Sequence, residues 1–326
     1  MIDTLCTGSL PGSAEDIQLD RPRRLAYLSV LDRRGRIEGR DVEGDIMRLD
    51  LSAPGATPVS ALAAKPPGFN PHGISLYRTG DGKLRLFVIS HIPGGSHAVE
   101  IFEQRGDGLF RPVRTVRDPL LRSPNAIVAT GPEQFYAVND SGANNALERF
   151  AEIALRRGLS TLVYFDGKQM RVAAAGLKSG VGLGMSPDGT RLYAAETVGK
   201  RLAVFERNAG TAALARLPDI AFDGAPDNVN VDAEGVVWVA VHARALELVR
   251  HFMDARHPSR SWIQRYDPSA AAPRLETVFF DPGTRLSAGS VGAAIDGRLL
   301  VGSITERDRK STRLNSSHSS VSRMPS

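Results

Sequence analysis

The sequence predicts an all-β protein, a six-bladed β-propeller with short helical insertions roofing the active-site face. Three observations lead there. Short apolar runs at 24–30, 83–90, 134–139, 191–196, 236–241 and 298–303 recur at spacings of about forty-five to sixty residues, the length of a four-stranded blade. Most follow a Gly-containing turn, as at 79–82, 186–189 and 232–235. Glycine and proline are abundant, 32 and 20 of 326 residues, as a chain with many tight turns requires.

Further runs at 45–51, 98–102, 161–165 and 201–205 alternate or stay apolar as strands do. Two segments break the pattern. Residues 144–156 put Leu147, Phe150, Ala151 and Ala154 on one helical face, with Asn144 or Asn145 as cap. Residues 243–256 carry a weaker stripe of Leu246, Val249 and Phe252 or Met253. Both are insertions between blade strands, expected to lie over one mouth of the propeller as a packed lid, with a membrane-surface role as the alternative.

One domain is expected over 1–308. The tail at 309–326 has many serines, few apolar residues and no periodicity. It is expected to be disordered and is similar to translated adapter or vector runs. From Arg307 on, Arg307, Arg309, Lys310, Arg313 and Arg323 against Asp308 hold +4 of the net charge of +5. The body is therefore nearly neutral and has no basic stripe with interleaved aromatics, which disfavours nucleic acid as a partner. No stretch approaches eighteen consecutive apolar residues, so no membrane span is expected. The N-terminus lacks the basic and apolar regions of a signal peptide. That predicts a cytoplasmic protein as written, or a secreted or periplasmic one should the native N-terminus be longer. The single cysteine, Cys6, excludes an intrachain disulfide.

The chemistry is sought where polar residues interrupt the apolar pattern. Phe-Asn-Pro-His-Gly-Ile at 69–74 opens a strand on His72, and His91 follows nineteen residues later at the end of the next apolar run. Two imidazoles at matching strand ends can form a dyad, one acting as general base and the other orienting it. Glu15 and Asp16 precede the first blade. Asn125 opens one strand, and Asp227 and Asn228 open another. Glu15, Asn125, Asp227 and Asn228 form a hard oxygen-ligand set drawn from separate blades, the kind calcium prefers. There is no His-x-His spacing for a softer metal, and no Gly-x-Ser-x-Gly elbow for a serine hydrolase.

The motif at 69–74, Asn125 in Pro-Asn-Ala-Ile-Val, Ser-Pro-Asp-Gly-Thr-Arg-Leu-Tyr at 186–193 and Asp-Asn-Val-Asn-Val-Asp at 227–232 together resemble the paraoxonase/arylesterase family. That family belongs to the wider superfamily of calcium-dependent six-bladed propellers that includes the gluconolactonase-like enzymes. The resemblance runs from about Ser13 to Arg307. It implies that Glu15, Asn125, Asp227 and Asn228 hold a catalytic calcium ion, that Asp16 and the carbonyl of Ile74 belong to a second, structural one, and that His72 and His91 form the dyad. The helical insertions match the family's active-site roof.

The chain departs from the family at three places. Val181 stands where the family has a ligating Asn, and a valine side chain cannot coordinate calcium. Ala126 stands where the family has an Asp, which removes a carboxylate from the structural site. The family's last strand is replaced by the serine-rich tail, so the strand that closes the ring is expected to be missing and Cys6 to be unpaired. The implied activity is calcium-assisted hydrolysis of a small lactone or aryl ester, with His72, oriented by His91, deprotonating water. Asp227 is the alternative nucleophile or base. A non-catalytic binding propeller with a degraded calcium site is the reading from another class.

Overall fold

The computed structural model describes residues 4–53, 55–306 and 308–313, with side chains described over 10–53 and 55–306. Its strands form six antiparallel sheets, five of four strands and one of five. The second strand of a sheet is covered on both faces, so it runs almost continuously apolar. Leu25–Leu31, Leu84–Ile92, Phe135–Asn139 and Val237–His242 are of this kind, buried along most or all of their length. The turns between strands use the expected chemistry. Gly82, Gly189 and Gly235 adopt φ of 82°, 69° and 85°, a region open to glycine without strain.

Each sheet begins on an innermost strand: Ser13–Asp20, Pro71–Arg78, Pro124–Ala129, Gly180–Met185, Ala225–Val231 and Gly289–Ile295. Each of these packs against the next, and the last packs against the first. The core follows the same order, as six apolar clusters wedged between neighbouring sheets. Phe87, Ile89 and Ile101 of the second sheet meet Ile127, Phe135 and Val163 of the third. Ile17, Leu28 and Val30 of the first meet Val291, Ala293 and Leu300 of the last. Each fully buried Leu, Ile, Val or Phe contributes about 1.5–3 kcal/mol.

The C-terminus differs from expectation. Asp308–Arg313 forms a strand between Thr4–Ser9 and Arg298–Ser303, completing a four-stranded sheet with Gly289–Ile295. The sheet is therefore closed with backbone that the serine-rich composition had assigned to the tail, because hydrogen-bonded pairing draws on main chain rather than on side-chain identity. Residues 314–326 and the Cys6 thiol lie outside what is described.

Three helices occupy equivalent connections, between the second and third strands of their sheets: α1 (Arg33–Ile37), α2 (Ala146–Ala154) and α3 (Ala245–Met253). The pairs Ser13↔Leu31, Pro124↔Asn139 and Ala225↔His242 put these connections at the end where the inner strands start. α2 begins as expected: Asn145 accepts the Glu148 amide at 2.9 Å while Glu148 accepts the Asn144 amide at 2.8 Å.

The packed-lid expectation does not hold for the apolar stripes. Leu147, Phe150 and Met253 are 78%, 70% and 83% exposed, and the buried members of α2 and α3 are Glu152 and His251. Polar anchors decide the orientation. Glu152 accepts the Ser141 hydroxyl at 2.5 Å. His251 donates from Nδ1 to the His257 carbonyl and accepts the Thr305 hydroxyl at Nε2, both at 2.7 Å. Arg34 of α1 donates to the carbonyls of His251 and Phe252, tying two of the helices together. No helix among the described residues is long and apolar enough to cross a membrane.

Candidate active site

Every inner strand breaks its pairing register near its start. The slips fall between Ala14 and Asp16, Pro71 and Ile74, Pro124 and Ala126, Gly180 and Gly182, Pro226 and Val229, and Gly289 and Val291. The residues caught in them are Glu15, His72 with Gly73, Asn125, Val181, Asp227 with Asn228, and Ser290. A bulge leaves residues outside the ladder and re-aims their side chains, so equivalent bulges gather side chains from separate sheets. Two glycines permit the close approach this requires. A Cβ on Gly73 would lie 2.4 Å from the Asn125 carbonyl oxygen, and one on Gly182 would lie 2.3 Å from that of Asp227.

Four of the sequence-derived residues interlock directly. Asn228 donates from Nδ2 to Oε1 of Glu15 at 2.7 Å and to the Glu15 carbonyl at 3.1 Å. Nε2 of His72 stands 3.8 Å from the same Glu15 oxygen, while its Nδ1 donates to the Asn125 carbonyl at 3.1 Å. A carbonyl only accepts, so Nδ1 carries the hydrogen and neutral His72 has its lone pair on Nε2. Asp227 accepts Nε2–H of His242 at 2.8 Å and feels the charges of Glu15 and His72. Burial raises the Asp227 carboxyl above the usual carboxylate range against the pull of His242.

The two expected dyad rings are neighbours, their centroids 5.0 Å apart and their planes tilted by 59°. Each has its hydrogen bond elsewhere: His72 to Asn125, and His91 through Nδ1 to Nδ1 of His97 at 2.8 Å. Burial, then the charges of His72 and His97, hold His91 well below the usual histidine range. Asp16 makes its hydrogen bonds outside this group. Its two oxygens accept the amides of Ile17 and Ile74, each at 2.8 Å, and burial beside Glu15 lifts its carboxyl to about 7.

Sequence reading missed four residues here. Ser290 lies in the sixth bulge and donates to the Glu15 carbonyl at 2.7 Å. Arg33 is buried, 3.9 Å from the other Glu15 oxygen, and donates to the Pro71 carbonyl at 3.1 Å. His242 ends an apolar strand just as His91 nearly does, so the rule that found His91 could have found it. His97 faces His91 across a hairpin turned by Gly94 and Gly95.

The chemistry of the donor set bears on a cation. Glu15 Oε2 and Asn125 Oδ1 are buried acceptors without a hydrogen-bond partner among the described residues. Unpaired buried acceptors cost free energy unless something positive meets them. Among the described residues, no three or more His, Cys, Asp or Glu side chains are gathered tightly enough to hold a metal by themselves. Any ion here would therefore depend on the asparagine oxygens.

The family model Arylesterase matches residues 41–310. The chain belongs to the arylesterase family. This arylesterase is similar to serum paraoxonase/arylesterase 1 of Rattus norvegicus, 32% identical over 93% of this chain and 86% of the relative. It is likewise similar to serum paraoxonase/arylesterase 2 of Bos taurus, 30% identical over 91% and 85%. Among solved structures it resembles a gluconolactonase from Xanthomonas campestris, with TM-score 0.59 and 16% identity over 96% and 90% of the two chains. It also resembles the calcium-binding protein regucalcin from Agrobacterium tumefaciens, with TM-score 0.51 and 15% identity over 95% of each. Those two likenesses show the propeller fold, while the family relatives make the arylesterase an ester-hydrolysing enzyme. The non-catalytic scaffold, the other expectation, is not favoured.

Proposed function

We propose that this arylesterase is a six-bladed propeller that hydrolyses lactones and aryl esters with the help of one calcium ion at the inner-strand bulges. The observation that carries the reading is the pair of buried acceptors that receive no hydrogen bond from the described residues, Glu15 Oε2, which has only Arg33 at 3.9 Å, and Asn125 Oδ1, beside Asp227 and Asn228. Glu15, Asn125, Asp227 and Asn228 would hold the ion; bound there, calcium supplies Lewis acidity toward the ester carbonyl. A second, structural ion has less support. Asp16 already accepts two amides, the Ile74 amide among them, and Ala126 contributes no oxygen.

His72 is the proposed general base. Its lone pair on Nε2, fixed there by the Asn125 carbonyl, takes a proton from water as that water adds to the substrate carbonyl. The adjacent His91 ring, neutral because it is buried, limits how His72 can turn. Asp227 is the second candidate base, held in place by His242. The first test is hydrolysis of phenyl acetate and of a simple lactone with calcium chelated and then restored. Activity lost and regained is the expected result. Hydrolysis indifferent to chelator, from protein with no residual calcium, would remove the metal from the mechanism.

A further inference from the structure

We propose that Arg33 is a resident counter-cation of the ion site: it partly neutralises Glu15 in the calcium-free protein and holds the affinity for calcium down. This rests on the reading of Glu15 as a calcium ligand.

Asp32 accepts the Gly35 amide at 2.9 Å and so starts α1, which places Arg33 at the first helical position. On the other side Arg34 donates to the carbonyls of His251 and Phe252 at 2.8 and 2.9 Å. Between these contacts Arg33 is buried. Its Nη2 donates to the Pro71 carbonyl at 3.1 Å, and its Nη1 lies 3.4 Å from both the carbonyl and the hydroxyl of Ser13. Ser13 and Pro71 begin the inner strands of the first and second sheets, so the guanidinium spans the two strands that carry Glu15 and His72.

The charge there is fixed. A guanidinium keeps its proton in proteins, and this one gives up a buried hydrogen bond if it swings away. It stands 3.9 Å from Glu15 Oε2, the oxygen that receives no hydrogen bond from the described residues. Asp16 and Asp227 are further opposite charges around it, and Arg36 is the like charge nearby. At 3.9 Å the guanidinium offsets charge without a hydrogen bond, so Oε2 is compensated yet keeps its lone pairs for a ligand. Burying an uncompensated carboxylate is costly, so this pairing lets the chain keep its fold without calcium. As a ligand, Glu15 would share its charge between the ion and a cation that cannot leave. Repulsion between those two cations weakens binding and keeps calcium exchangeable.

The test compares full-length wild type, Arg33→Gln and Arg33→Lys after calcium has been stripped with chelator. Calcium is titrated by calorimetry at about pH 8, above the ordinary carboxylate range, and melting is followed with and without the ion. Arg33→Gln keeps an amide donor for the Pro71 carbonyl and removes the charge. It should bind calcium about tenfold more tightly than wild type. It should also melt below wild type in chelator, with the gap narrowing as calcium is added. Arg33→Lys keeps the charge and should stay close to wild-type affinity. Unchanged or weaker binding in Arg33→Gln, or a melting deficit that calcium leaves untouched, would overturn the role of Arg33 and leave it one of packing. If Arg33→Gln is unfolded in chelator, recovery of its fold on adding calcium supports the counter-charge, and no recovery overturns it. Calcium binding absent from wild type and Arg33→Gln alike would remove the ion site itself, a failure separable from that of Arg33.

Discussion

Asn228 and Glu15 lie 213 residues apart, yet the Asn228 amide is bonded to both the side chain and the backbone carbonyl of Glu15. The contact joins the bulge of one inner strand to that of another. It is polar, buried, and made by two residues that also belong to the proposed ion site. Replacing Asn228 with Ala leaves both Glu15 carboxylate oxygens without a hydrogen bond. The expected loss is about 1–3 kcal/mol of stability, measured by chemical denaturation in the presence of chelator.

Calcium should stabilise the native chain, because an ion that binds only the folded state raises its melting temperature with concentration. Glu15→Gln keeps the shape and removes the charge. The variant should show little calcium-dependent rise in melting temperature, and its hydrolysis of phenyl acetate should fall in parallel. An undiminished calcium response in Glu15→Gln would sink the assignment of Glu15 as a ligand.

Val181 occupies the bulge of the Gly180–Met185 strand, where the resemblance to the family implies a ligating Asn. Val181→Asn restores an oxygen at that height. Calcium affinity should rise by about tenfold, equivalent to about 1.4 kcal/mol, as read by titration calorimetry. An unchanged affinity would mean that the fourth inner strand does not face the ion.

Gly73→Ala should be among the more damaging single-methyl additions. Its Cβ would meet backbone rather than a flexible side-chain end, 2.4 Å from the Asn125 carbonyl oxygen and 2.8 Å from the Ala126 Cα. The expected cost is about 1–3 kcal/mol. Activity should drop as well, since displacing Asn125 frees the Nδ1 hydrogen of His72. Differential scanning calorimetry with parallel kinetics checks both.

His91 gives the pH dependence. Its folded-state pKa lies below the usual 6.5, so as pH falls through 6.5 the unfolded chain binds a proton that the native state refuses. The stability contributed by the neutral ring is complete above that value and is lost on the acid side. Denaturation at about pH 7.5 and about pH 5.5 should show wild type weakening more on acidification than His91→Gln.

The strands were legible in the sequence because burial on both faces writes long apolar runs, as at 83–90 and 236–241. The caps were legible too, since Asn145 acts through a local hydrogen bond. The orientation of α2 was not. A periodic stripe shows that one face is apolar, but a single buried carboxylate, Glu152, fixed the opposite face inward. Within the site, His72 and His91 were visible as polar residues at strand ends. The ion-binding roles came through resemblance, because one Asn before a strand looks like any turn residue. Ser290 and Arg33 left no signal, since register slips and a guanidinium folded over a strand end depend on contacts between distant segments.

The six apolar clusters sit between the sheets, and the bulged residues sit inside the ring of inner strands. Folding and chemistry are thus assigned to different parts of the same chain. Val181 marks where the two meet. It stands at a height where the proposed site would draw a further oxygen, yet its side chain packs into the cluster between the fourth and fifth sheets. On the proposed calcium reading, a methyl-bearing side chain there adds packing at the expense of an oxygen for the ion. Variation at this position can therefore persist under selection for a sound fold, and the catalytic equipment of such a ring can drift while its architecture is inherited unchanged.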